Sequence, residues 1–166
     1  MERQPSGKAK LTLPSDTEIL IEREFNARKA NVFDAWYKPE WIKEWYGCAD
    51  QELVVCDTDF REGGAWRWVL RSQGAVDHAF SGNYRVIDRS NRLVFTERYE
   101  MIPGSDHLVA LTFEEQAGGV TKLSMRIVHE SKAMRDGHLQ SGIESGIQLS
   151  LDRIEELASS VDAGRS

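Results

Sequence analysis

Between Glu52 and Val128 apolar and polar residues alternate in short runs, and each run is closed by glycine or proline. "ELVVCDTDF" is followed by Gly63-Gly64, and "AWRWVLRS" by Gly74. Next come "HAFSGNYRVI" and "RLVFTERYEM", the latter closed by Pro103-Gly104. "HLVALTFEE" and "TKLSMRIVH" flank Gly118-Gly119. A period of two marks half-buried strands, and connections this short join antiparallel neighbours rather than crossover units. An earlier segment, "TEILIEREF", alternates in the same way, with Ile19, Ile21, Arg23 and Phe25 on one face. The sequence therefore predicts an antiparallel meander preceded by one distant strand.

Two segments break this period. In "NARKANVFDAWYKPEWIKEWYG" the spacing of Val32, Phe33, Trp36 and Tyr37 is helical, and Pro39 ends one short helix and starts another. Trp36, Trp41 and Trp45 are expected in the core of that pair. From Ser131 to Ser159 the set Leu139, Ile143, Ile147, Leu151, Ile154 and Leu157 follows a 3.6 repeat, which predicts one long helix capped by Ser131 and laid across the sheet. Gly142 and Gly146 lie one turn apart within it. Each costs about 1 kcal/mol of helix propensity relative to alanine, which points either to close packing on the sheet or to space kept for a ligand. The order of elements gives an α+β class with one domain at 16–160, a flexible leader at 1–15 and a flexible tail at 161–166.

The bulk properties narrow the partners. A formal charge of −6 argues against nucleic acid and against anionic membranes. No apolar run approaches the ~20 residues of a membrane span, and the N-terminus lacks the apolar core of a secretory signal. The two cysteines, Cys48 and Cys56, form no C-x-x-C pair and read as free thiols of a cytoplasmic protein. His78, His107 and His129 show no metal-ligand spacing, and no phosphate loop or nucleophile elbow occurs. Neither a metal nor a cofactor is expected, and no catalytic residue is assigned.

The segments "FNARKANVFDAWYKPEWIKEWYG", "FREGGAWRWVLRS", "HAFSGNYRVIDRSNRLVFTERYE", "LVALTFEEQAGGVTKLSMRI" and "MRDGHLQSGIESGIQLSLDRIEEL" resemble the activator-of-Hsp90-ATPase homologue family. That family belongs to the START-like, polyketide-cyclase/Bet v-like superfamily. The resemblance spans about Thr17 to Leu157. It implies a helix-grip fold, in which a curved seven-stranded antiparallel sheet wraps a long C-terminal helix and a cavity lies between them. Within that frame the pocket-lining residues are expected to be Trp66, Trp68, Leu70, Phe80, Tyr84, Phe95, Glu97, Tyr99, Leu111, Phe113 and Met125 from the sheet. Arg135, His138, Leu139, Gly142, Ile143 and Gly146 are expected from the helix. Many relatives carry tryptophan where this chain has Ile147, which implies a more open floor.

Glu97 falls among aromatic residues if the alternation holds, so it needs a partner, with Arg135 and His138 expected to reach toward it. A mostly apolar wall with a few polar tips is the usual make-up of a small-molecule pocket. The expected function is non-catalytic binding of a small hydrophobic molecule. A co-chaperone-like or stress-related interaction module and a cyclase- or hydrolase-like enzyme are the alternatives, and a homodimer stays open. The co-chaperone that named the family has an additional chaperone-binding domain for which this length leaves no room, so stimulation of Hsp90 is not expected.

Overall fold

The computed structural model describes residues 8–47, 51–74 and 76–164. The chain runs β1 (Lys10–Thr12), β2 (Glu18–Phe25), α1 (Lys29–Asp34), α2 (Pro39–Trp45), β3 (Glu52–Thr58), β4 (Ala65–Ser72) and β5 (Val76–Asp88). It continues with β6 (Arg92–Tyr99), β7 (His107–Gln116), β8 (Val120–Val128), α3 (Lys132–Gln140) and α4 (Ile143–Asp162). All strand pairings are antiparallel, in the order β1-β2-β8-β7-β6-β5-β4-β3. The sheet has eight strands, not the seven expected. The additional one is β1, which the sequence reading placed in the flexible leader; it pairs with β2 through Lys10–Glu22 and Thr12–Leu20. A three-residue strand is too short for alternation to reveal it.

The alternation in β2 behaves as read. Ile19, Ile21, Arg23 and Phe25 are buried, while the glutamates between them are not. Arg23 is buried at no cost in unpaired charge, because its guanidinium reaches Asp152 (2.6 Å) and Glu155 (3.0 Å) on α4. The other oxygen of Glu155 accepts from the Asn26 backbone N–H at 2.7 Å, so one carboxylate ties α4 to the end of β2. Leu151, Ile154 and Ala158 are fully buried on α4 and join one core with Ile19, Phe25, Phe33, Leu93 and Phe113.

The helix pair α1–α2 is held by aromatic contacts. Trp36 and Trp45 meet edge-on with centroids 4.9 Å apart, and the Trp45 indole donates to the Ala35 carbonyl at 2.7 Å. Pro39 is at the start of α2, where its missing N–H costs nothing. Trp41 is only partly buried, with Lys38 over its ring at 5.4 Å, so it contributes less to the core than its two neighbours.

One expectation fails. The segment 131–159 is two helices, not one. Ser131 does cap α3 by accepting from the Met134 N–H, but α3 ends at Ser141, and Gly142 turns to φ +88° before α4 begins. That left-handed backbone is open to glycine and interrupts the helical hydrogen-bond ladder. Apolar periodicity continues across the break, which is why the repeat alone did not show it. Neither glycine serves close packing on the sheet: both are exposed, and a Cβ on Gly146 would meet nothing within 4 Å. α4 also extends to Asp162, two residues into the expected tail.

Candidate ligand site

The inner face of β6, β7 and β8 is built in rows set by the strand register. Leu93, Leu111 and Met125 form one row, and Phe95, Val109 and Ile127 the next. The third row opens with Glu97 opposite His107, and His129 follows Ile127 at the same parity. The inner face thus changes from apolar to titratable along the strands. α3 stands beside this polar end and adds His138.

A cleft of about 450 Å³ opens here, lined by Phe80, Tyr99, Ile102, Ala133 and Met134, with Glu97, His107, His129 and His138 at its polar end. Its volume lies within the 300–1,000 Å³ usual for small-molecule sites. Ala133, Gly137 and Ser141 succeed one another at helical spacing along the α3 wall, and their small side chains keep the mouth open. An inner pocket of about 180 Å³ lies behind, lined by Trp36, Trp45, Tyr46, Trp68, Phe95 and Met125 among others. Glu97 and His138 border both spaces.

The hydrogen bonds assign protons at the polar end. His107 Nδ1 lies 3.0 Å from the Ser105 carbonyl, which only accepts, and Nε2 lies 2.8 Å from Glu97 Oε1. Both nitrogens therefore donate, and His107 is an imidazolium paired with the Glu97 carboxylate. Burial pulls the His107 pKa down, but the hydrogen bond and charge of Glu97 outweigh it and hold the ring above the usual histidine value. His129 Nε2 and His138 Nδ1 are 2.9 Å apart, so one donates and the other accepts. Burial, then the His107 charge, then His138 push His129 down to about 4; burial and His107 lower His138 as well. At neutral pH the pair is uncharged. Ring centroids 4.7 and 5.2 Å away set the His129 and His138 rings against His107, tilted at 40° and 48°.

The structure distributes the expected pocket residues unevenly. Phe80, Glu97, Tyr99 and His138 line the cleft, while Trp68, Phe95, Met125 and Ile143 line the inner pocket. Leu111, Phe113, Tyr84 and Trp66 are core: Phe113 packs on Phe33 at 5.3 Å, Tyr84 on Phe60 at 5.0 Å, and Trp66 on Trp68 at 4.8 Å. The Trp66 indole donates to the Thr96 carbonyl, and Gly82 beneath it has no room for a side chain, since a Cβ would fall 1.8 Å from that same oxygen. Leu70 is buried over Gly47, Leu139 packs on the core, and Gly142 and Gly146 are exposed.

Arg135 corrects an expectation. It does not reach Glu97: its guanidinium donates to the Ser15 carbonyl and to Asp136, which fastens α3 to the segment before β2. The partner of Glu97 is His107, across the ladder. The spacing of His107 and His129 is irregular, yet each continues an inward series by one step of two, 113-111-109-107 and 123-125-127-129. Among the described residues no group of three His, Cys, Asp or Glu is arranged to hold a metal ion. A third hollow, of about 420 Å³, involves the opposite face, and its arginines are paired, Arg67 with Glu100 and Arg98 with Asp106 at 2.9 Å each.

An antiparallel sheet with two short helices after its first long strand, and a C-terminal helix over its inner face, defines a helix-grip domain. Residues 26–159 match the family described as activator of Hsp90 ATPase homolog 1-like protein, and the chain belongs to that family. No curated protein sequence matches it. Its fold is shared with a Rhodobacter sphaeroides protein, with TM-score 0.85, 20% identity and coverage of 95% of this chain and 99% of that one. A Nitrosomonas europaea protein gives 0.80 at 20% identity, covering 91% and 99%. The AHSA1-like protein of Aeromonas hydrophila gives 0.69 at 20% identity, covering 89% and 94%. At these identities the likeness is one of fold. Among the described residues no helix is long and apolar enough to cross a membrane.

Proposed function

We propose that this protein binds a small, largely apolar molecule in the cleft between α3 and the polar end of the sheet, without chemistry. The observation that carries this reading is the cleft itself: an open volume of about 450 Å³ with an aromatic and aliphatic wall and a compact polar end. Phe80 and Tyr99 stack with centroids 5.0 Å apart and 22° between planes, a flat surface suited to an aromatic or extended apolar body. The binding role favours the polar end over a catalytic one because both His107 nitrogens are already committed, and His129 is a weak base.

Native mass spectrometry of freshly purified protein tests this. A non-covalent mass increment that disappears on denaturation, and that Gly137→Leu prevents, is the expected result. A wild-type chain that takes up no molecule from a panel of small apolar compounds would sink the reading. A cytoplasmic setting goes with it, since Cys56 is an unpaired thiol whose pKa burial raises. Cys48 lies outside the described residues, and alkylation of the unfolded chain without reductant should modify both.

A further inference from the structure

The polar end of the cleft has more hydrogen-bonding capacity than its own residues use. Glu97 spends Oε1 on His107, while its second oxygen has no partner among the described residues. The Glu97 side chain is 24% exposed, and it borders both the cleft and the inner pocket. That oxygen can only accept. His129 is 6% exposed, its Nε2 is taken by His138, and its buried Nδ1 has no partner among the described residues. The linked imidazoles leave two free ring nitrogens of opposite character. If His129 donates across the 2.9 Å bond, its Nδ1 accepts and His138 Nε2 donates; if His138 donates, both roles reverse. Beside the fixed acceptor of Glu97, the pair can therefore offer an N–H.

Charge narrows the ligand further. The titratable groups facing this junction are Glu97 and Tyr99 from β6, His107 from β7, His129 after β8, His138 from α3 and Tyr46 after α2. Glu97 and His107 cancel, and the imidazolium, its ring centroid 4.7 and 5.2 Å from the other two, keeps the His129–His138 pair neutral. A carboxylate entering here would lose its hydration and gain no cation, with Glu97 beside it. An ether would leave the Glu97 oxygen without a donor. A hydroxyl group gives one hydrogen bond and takes one, which matches both partners.

Resting on the cleft as a binding site, we infer that the ligand is uncharged and carries a hydroxyl group, seated where cleft and inner pocket meet, donating to Glu97 and accepting from the His129–His138 pair. The apolar body lies along Phe80 and Tyr99. The group that Glu97 and the two histidines recognise is thus an alcohol or phenol and not an acid.

A matched series tests this on the full chain: 2-naphthol, 2-methoxynaphthalene, naphthalene and 2-naphthoate, each titrated by calorimetry at pH 7.5. The expected order puts 2-naphthol about tenfold or more ahead of its methyl ether, because a buried hydrogen bond to a charged group is lost in the ether, with 2-naphthoate weakest. Equal affinity for 2-naphthol and the ether overturns the inference while leaving the cleft as a site for apolar molecules. Tightest binding of 2-naphthoate overturns it in favour of an anion site. No binding of any of the four, naphthalene included, removes the cleft reading and this inference together. In the double variant Glu97→Leu/His107→Leu the advantage of 2-naphthol over its ether should vanish, and its survival would also overturn the assignment. The wild-type series decides the matter if that variant does not fold.

Discussion

Toward Leu93, Phe113 and Leu123 the inner face of the sheet is packed solid, whereas toward Tyr99, His107 and His129 it opens into the cleft. The same three strands build both ends, so strand geometry does not make the difference. The covering helices do. α4 presses Leu151, Ile154 and Ala158 into the packed end, each fully buried. α3 sets Ala133, Gly137 and Ser141 along the open one. The side chains beneath follow suit, apolar under α4 and titratable beside the cleft. The comparison teaches that the site is made by a deficit of side-chain volume on one helix as much as by the groups that line it.

Placing an equally disruptive change at each end should produce unequal losses. Leu151→Asp puts a carboxylate into the closed core and should cost several kcal/mol, seen as a large drop in the urea midpoint or as loss of folding. Gly137→Leu, by contrast, has open space at its Cβ and gains helix propensity. It should leave the midpoint level or raise it, while abolishing ligand uptake. Comparable destabilisation by both would break the distinction between the two ends.

The open end should also carry its own acid sensitivity. The folded-state pKa of His129 is about 4, below the unfolded value of about 6.5. The unfolded chain therefore binds the proton more readily, and stability falls as pH drops from about 6.5 toward 4. The effect is on the order of 2–3 kcal/mol. His138 is lowered and adds in the same direction. His107 is raised, so its contribution is complete below about 6.5 and is lost as pH rises through its folded pKa. Urea titrations at pH 4.5 and 6.5 should show His129→Gln losing less stability on acidification than the wild type. An identical slope in the two proteins would remove the cluster as the source.

A smaller effect separates the glycines. Gly146→Ala, with nothing within 4 Å of the new methyl, should raise stability by about 0.5–1 kcal/mol. Gly142→Ala should lower it, because φ is +88° there. Equal responses would deny that the chain breaks between α3 and α4.

The fold was legible because its signals are local. Alternation placed β2 to β8, and proline placed the start of α2. The Gly142 break was not legible, since apolar periodicity runs on through it and one glycine in a helical pattern is ambiguous. At the site, parity puts Glu97 on the face that carries the cleft. Parity does not name the partner, because the pairing follows from the ladder across the β6–β7 connection and not from either strand alone. Counting both strands outward from Phe95 and Val109 pairs Glu97 with His107 directly. The His129–His138 contact joins residues on different elements, which no single-strand pattern can supply.

On the proposed binding role, the break at Gly142 would separate how readily a ligand exchanges from how long the protein survives. If α3 were continuous with α4, displacing it would mean disturbing Leu151 and Ile154, and exchange would be as slow as global unfolding. As built, nine residues between Ser131 and Ser141 can open as a unit of their own while the core stays shut. Amide protons of α3 should then exchange with deuterium much faster than those around Leu151 and Ile154, with ligand slowing only the former. Uniform protection across both helices would show that they open as one. Sequence change in α3 can retune ligand residence time without drawing on the stability of the rest.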